Sequence, residues 1–131
     1  MPHTTITLAE GTIHNPAEPR HFMSVDPIKG RVRILLNDQL IADTQGALRL
    51  KEVGLQLYDP VIYVSPDDVM APLTETDRTT HCPLKGDCTW FSLPDAENVA
   101  WSYEKPFAFA EVIAGRVAFD TTQVAIEERP E

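Results

Sequence analysis

The stretch GRVRILLNDQLIADT, residues 30–44, decides the fold class. Val32, Ile34 and Leu36 alternate with Arg31, Arg33 and Leu35, the period of two that marks a strand. Asn37-Asp38 tolerates positive φ and suits a two-residue hairpin turn, so a return strand is expected over about Gln39 to Asp43. ALRLKEVGL (47–55) reads as a third strand, and YDPVIYVSP (58–66), β-branched or aromatic through its centre, as a fourth. GDCTWFSL (86–93) and VAWSYEKP (99–106) read as two more, with PDAEN (94–98) a loop between them. A terminal hairpin is expected from Arg116–Asp120 and Gln123–Glu127, with Val117, Phe119, Val124 and Ile126 on one face.

Two segments break the strand pattern. In SPDDVMAPLTET (65–76), Ser65 is a good N-cap, Pro66 suits the first helical position and Asp67 and Asp68 favour the positive end of a helix. Pro72 limits that helix to one or two turns. PFAFAEVIA (106–114) forms a second short helix ended by Gly115. Residues 1–30 pattern weakly and are expected to be an irregular arm, ahead of a single domain over 31–131. The expectation is a mainly β fold, an antiparallel sheet or partly open barrel with two short helices.

Composition narrows the partners. The 131 residues suffice for one core, and eleven prolines oppose a helical bundle. Eleven basic against twenty acidic residues give a net charge of −9, which repels phosphate backbones and anionic membrane surfaces. Nucleic acid and membrane are therefore not expected as partners, whereas a small anion held by positioned cations is. The first residues, MPHTTITLAEG, have neither the charged nor the apolar region of a secretory signal, so a cytoplasmic protein with reduced thiols is expected.

The chemistry concentrates in TTHCPLKGDCTWFSL (79–93). Cys82 precedes Pro83, which favours an extended backbone and a turn, and His81 and Lys85 are near enough in sequence to activate its thiol. Lys85-Gly86 can clamp a carboxylate or phosphate, glycine permitting close approach and lysine supplying the charge. Thr80 offers a hydroxyl beside the same turn. Trp101 and Tyr103 share a strand face and, with Tyr63, could wall a pocket. His81, Cys82 and Cys88 supply at most three local metal ligands at an unusual spacing, and His3, His14 and His21 fall in the arm. No metal and no cofactor are assigned. A Cys82–Cys88 disulfide suits the wrong compartment, and Cys88 reads as core beside Trp90. Glu52 could pair with Arg33 or Arg49, or lie on a solvated strand face. No serine sits in a G-x-S-x-G frame.

The chain from RVRILLN to VAIEE (31–128) resembles the domain-of-unknown-function 427 family, nominally nucleotidyltransferase-like. The resemblance is carried by LKEVGLQLYDPVIYVSPDDV (50–69), by T-x-C-P-x-K-G at Thr80, Cys82, Pro83, Lys85 and Gly86, by W-S-Y-x-x-P at Trp101, Ser102, Tyr103 and Pro106, and by IAGRVAF (113–119). It implies a small, mainly β domain without an agreed activity. Nucleotidyl transfer needs metal-bridging carboxylates beside a phosphate-cradling loop, and no glycine-rich phosphate motif is present.

The ligand-binding candidates are thus Tyr63, Thr80, Cys82, Lys85, Gly86, Trp101 and Tyr103, around a small anionic metabolite. Two other readings stand beside this one. One is a group-transfer enzyme using Cys82 or Asp68 with Lys85. The other is a homodimeric interaction module with no ligand.

Overall fold

The structure, a computed structural model, describes residues 7–131. Its strands run β1 (Ile13–Asn15), β2 (Glu18–Pro27), β3 (Arg31–Leu36), β4 (Gln39–Thr44), β5 (Leu48–Val53), β6 (Val61–Tyr63), β7 (Thr74–Cys82), β8 (Gly86–Leu93), β9 (Ala96–Ser102), β10 (Val117–Phe119) and β11 (Ala125–Arg129). They form three antiparallel sheets, ordered β1-β2-β5-β6, β10-β9-β8-β7 and β11-β3-β4. The fold is mainly β, as the sequence implies, and none of the sheets closes into a barrel.

The β3–β4 hairpin follows the sequence closely. Asn37 and Asp38 take φ of 50° and 66°, the left-handed pair whose twist matches that of the flanking strands. Val32 and Ile34 are wholly buried in a core cluster shared with Ile41, Ala42, Ile62, Val99 and Phe119. A second cluster gathers Met23, Leu50, Tyr63, Leu84, Tyr103 and Ile113. β10 lies between the two: Val117 and Phe119 face the first and Ala118 the second, the alternation of a strand covered on both sides. Val64 and Val117 exchange two backbone hydrogen bonds of 2.8 Å, which join the first two sheets.

Three expectations are corrected. The segment expected as an irregular arm contains β1 and β2, with residues 1–6, and so His3, outside the described residues. β2 pairs with β5 over Phe22–Pro27, so backbone bonding holds it where its side-chain pattern is weak; Met23 alone in it is fully buried. The terminal hairpin does not form. β10 pairs with β9 and β11 with β3, because Asp120 turns the chain from one sheet to another. Its carboxylate accepts from the Thr122 backbone N–H, and its carbonyl from the N–H groups of Gln123 and Val124. The apolar alternation would be the same in a hairpin, since both arrangements point those residues at one interior. Finally, β7 is a strand with a mostly exposed polar face, which gave no alternation to read, and β9 begins within the segment expected as a loop.

Both short helices are 3-10 turns, at Pro66–Asp68 and Ala108–Ile113. Ser65 caps the first, accepting from the Asp67 N–H. No helix among the described residues is long and apolar enough to cross a membrane.

Candidate functional site

The β7–β8 turn is folded inward. Cys82 pairs with Gly86 across it, and Leu84 at its tip is fully buried in the second core cluster. Gly86 has a φ of +112°, a conformation that strains any residue with a Cβ. The Lys85 carbonyl accepts a 3.0 Å bond from the Phe107 N–H, and the Pro83 carbonyl a 3.3 Å bond from the Asn15 side chain. Anchored from both sides, the turn drives Lys85 into the protein, where only 7% of the residue is exposed.

There Lys85 donates a hydrogen bond to Glu52 Oε1. Glu52 is itself buried, and its Oε2 lies 2.6 Å from His21 Nε2. The β2–β5 register explains this meeting. Met23 stands opposite Glu52, and His21, two residues earlier, projects from the same sheet face. Gly54 leaves room for the imidazole, since a Cβ there would come within 3.4 Å of His21 Cδ2 and 3.1 Å of Tyr58 Cε2.

Aromatic rings stand over this charged floor. Trp101 Nε1 donates to the Tyr63 hydroxyl at 3.4 Å, and the Trp90 and Trp101 rings lie 5.2 Å apart, centre to centre. Trp90 is held from behind by its 2.9 Å bond to Thr80 Oγ1 and by Arg78, whose guanidinium sits 4.0 Å over the ring. Lys85 Nζ lies 5.5 Å from the centre of the Tyr103 ring. Glu52, Lys85, Tyr63, Trp90, Trp101 and Tyr103 line an open cleft of about 670 Å3.

Burial opposes the charge of Glu52, yet Lys85 and His21 outweigh it and hold its carboxyl below the usual range. Burial pushes the phenols of Tyr63 and Tyr103 up, so both are neutral at physiological pH. It also pushes the Cys88 thiol up, which leaves Cys88 protonated and a poor nucleophile.

Of the residues singled out from sequence, Tyr63, Cys82, Lys85, Trp101 and Tyr103 line the cleft. Thr80 and Gly86 stand behind it, the one fixing Trp90 and the other permitting the turn. Asp68 lies away from the cleft, accepting a 2.7 Å hydrogen bond from Thr44 beside β4. His81 is at the rim, 2.8 Å from Asp87. Sequence reasoning missed His21 and the true partner of Glu52. Arg33 and Arg49 are taken by Glu127 and Glu128 instead. A signal for Glu52 was present, because Leu48, Leu50 and Glu52 occupy one face of β5.

A family model described as a domain of unknown function, DUF427, matches residues 24–129. The chain belongs to the DUF427 family. No curated protein matches the sequence. The span matched to DUF427 includes Glu52, Cys82, Lys85 and the aromatic wall, whereas His21 precedes it.

Proposed function

We propose that the cleft binds a small metabolite with one anionic group and a flat or apolar body. The observation that carries this reading is a buried ammonium, Lys85, at the floor of a cavity walled by Trp101, Tyr63 and Tyr103. An ammonium has three N–H donors, and Glu52 engages one of them. The remaining donors suit a carboxylate or phosphate oxygen, and the indole and phenol faces suit the body of the ligand. Because Glu52 already offsets the Lys85 charge, recognition rests on direct hydrogen bonds more than on long-range attraction. The net charge of −9 favours a singly charged ligand over a polyanion.

The test is a thermal-shift panel of small carboxylates and phosphates. A ligand present at a hundred times its Kd stabilises the native state by about 2.7 kcal/mol, a readily visible rise in Tm. The Trp101→Ala variant should lose the response. A panel without any shift overturns the proposal.

Group transfer through Cys82 is a second reading, favoured by one observation: its thiol, His21 and Glu52 each bring an atom within 4.8 Å of the others. A thiol beside a base that is oriented by a carboxylate is the arrangement of an activated nucleophile. Stoichiometric covalent labelling of Cys82 by a small electrophile, abolished in His21→Ala, tests it. Labelling unaffected by that substitution removes its support.

A further inference from the structure

We propose that His21, Glu52 and Cys82 form a three-ligand site for a divalent cation of the zinc class, with its open coordination position facing the aromatic cleft. The three residues come from β2, β5 and β7, strands that belong to two different sheets, so their meeting is a product of the tertiary fold. One ligand atom from each lies within 4.8 Å of the other two. Bonds of about 2.0–2.3 Å place tetrahedral ligand atoms roughly 3.3–3.8 Å apart, so modest side-chain shifts close the site. The 2.6 Å contact between His21 Nε2 and Glu52 Oε2 opens as the cation takes the place of the shared proton, which moves to His21 Nδ1 or leaves to solvent.

The donor set fits that class of ion. Imidazole, carboxylate and thiolate together select a borderline cation over magnesium or calcium, which take oxygen ligands. Three protein ligands with a vacant fourth position is the pattern of zinc sites that engage an exogenous ligand. Lys85 fits as an outer partner, since it holds Glu52 through Oε1 and leaves Oε2 for the ion. On binding, the Cys82 thiol releases its proton to solvent and becomes the thiolate ligand.

The inference deepens the anion-binding reading and rests on it for the role of the open position. Glu52 and the Cys82 thiolate carry two negative charges and Lys85 one positive, a sum of −1; a divalent cation turns this to +1. The ion would thus restore to the cleft the positive charge that Glu52 takes from Lys85.

The test uses the full chain, stripped with a chelator and titrated with cobalt(II), whose thiolate complexes show a charge-transfer absorption. One equivalent should produce that band and zinc should abolish it. Cys82→Ser should lose the band, and His21→Gln should weaken binding by roughly tenfold or more. His14→Gln, which is not one of the three clustered residues, should leave the spectrum unchanged. Absence of the band in the unaltered chain overturns the proposal, as does its persistence in Cys82→Ser. Should Cys82→Ser fail to fold, alkylation of the unaltered chain decides: zinc must protect Cys82, and equal labelling with and without zinc overturns the site. The anion panel run on chelator-treated protein separates the two readings. A melting shift there with no cobalt band leaves the cleft standing and removes the metal.

Discussion

Lys85 in the β7–β8 turn and Glu52 on β5, 33 residues apart in sequence, form an ion pair in which both side chains are almost wholly removed from solvent. Taking two charges out of water is costly, and each partner tolerates burial only because of the other. His21 adds a further hydrogen bond to the carboxylate.

Lys85→Met therefore leaves a buried carboxylate without its main partner. We expect a loss of about 3–5 kcal/mol in denaturant unfolding of the metal-free protein. Combining it with Glu52→Leu should recover part of that loss, because both charges are then gone. If the double variant is less stable than the sum of the single changes, the pair is not what makes the single change costly.

Acid should weaken the same contact. Glu52 has a lower pKa in the folded protein than in the unfolded chain. Its contribution is therefore fully present above the unfolded carboxylate value of about 4.3 and is lost as pH falls through the lower folded value. The stability difference between the chelator-treated protein and Glu52→Gln should shrink below about pH 4. A difference that grows on acidification contradicts the assignment.

Two glycines should respond unequally to alanine. At Gly86 a Cβ meets Phe107 N and Pro106 Cα at 3.5 Å, ordinary contact, so the cost is the strained φ, about 1–3 kcal/mol. At Gly30 a Cβ would lie 2.3 Å from the Arg129 carbonyl oxygen, and a φ of +108° adds strain. Gly30→Ala should be the more damaging in thermal melts, by splitting β11 from β3. Equal losses would mean that the backbone clash is relieved by movement of the chain end.

The two thiols should differ in reactivity. Cys88 is 2% exposed with its thiol pushed up by burial, whereas Cys82 is partly open to the cleft. Alkylation of native, metal-free protein followed by peptide mass spectrometry should label Cys82 well before Cys88. Equal labelling indicates that the hairpin opens readily.

Much of the fold is legible where one face of a strand is buried. The β3–β4 hairpin could be read from Val32, Ile34 and the Asn37-Asp38 turn, because alternation and turn chemistry agree there. β7 could not, since an edge strand exposed along most of its length carries no alternation. Nor could the separation of β10 from β11, as the same apolar faces serve a hairpin or a corner between sheets. In the site, Lys85, Trp101, Tyr103 and Tyr63 stood out as residue types suited to a pocket. His21 was hidden because its approach to Glu52 depends on the β2–β5 register, a long-range pairing that local sequence does not encode.

The three residues of β10 send side chains into both interiors of the protein. Neither interior can therefore melt while the other stays intact, and trimming the chain to half a domain would forfeit both. Amide hydrogens on either side of that short strand should accordingly exchange at a common rate, set by global opening.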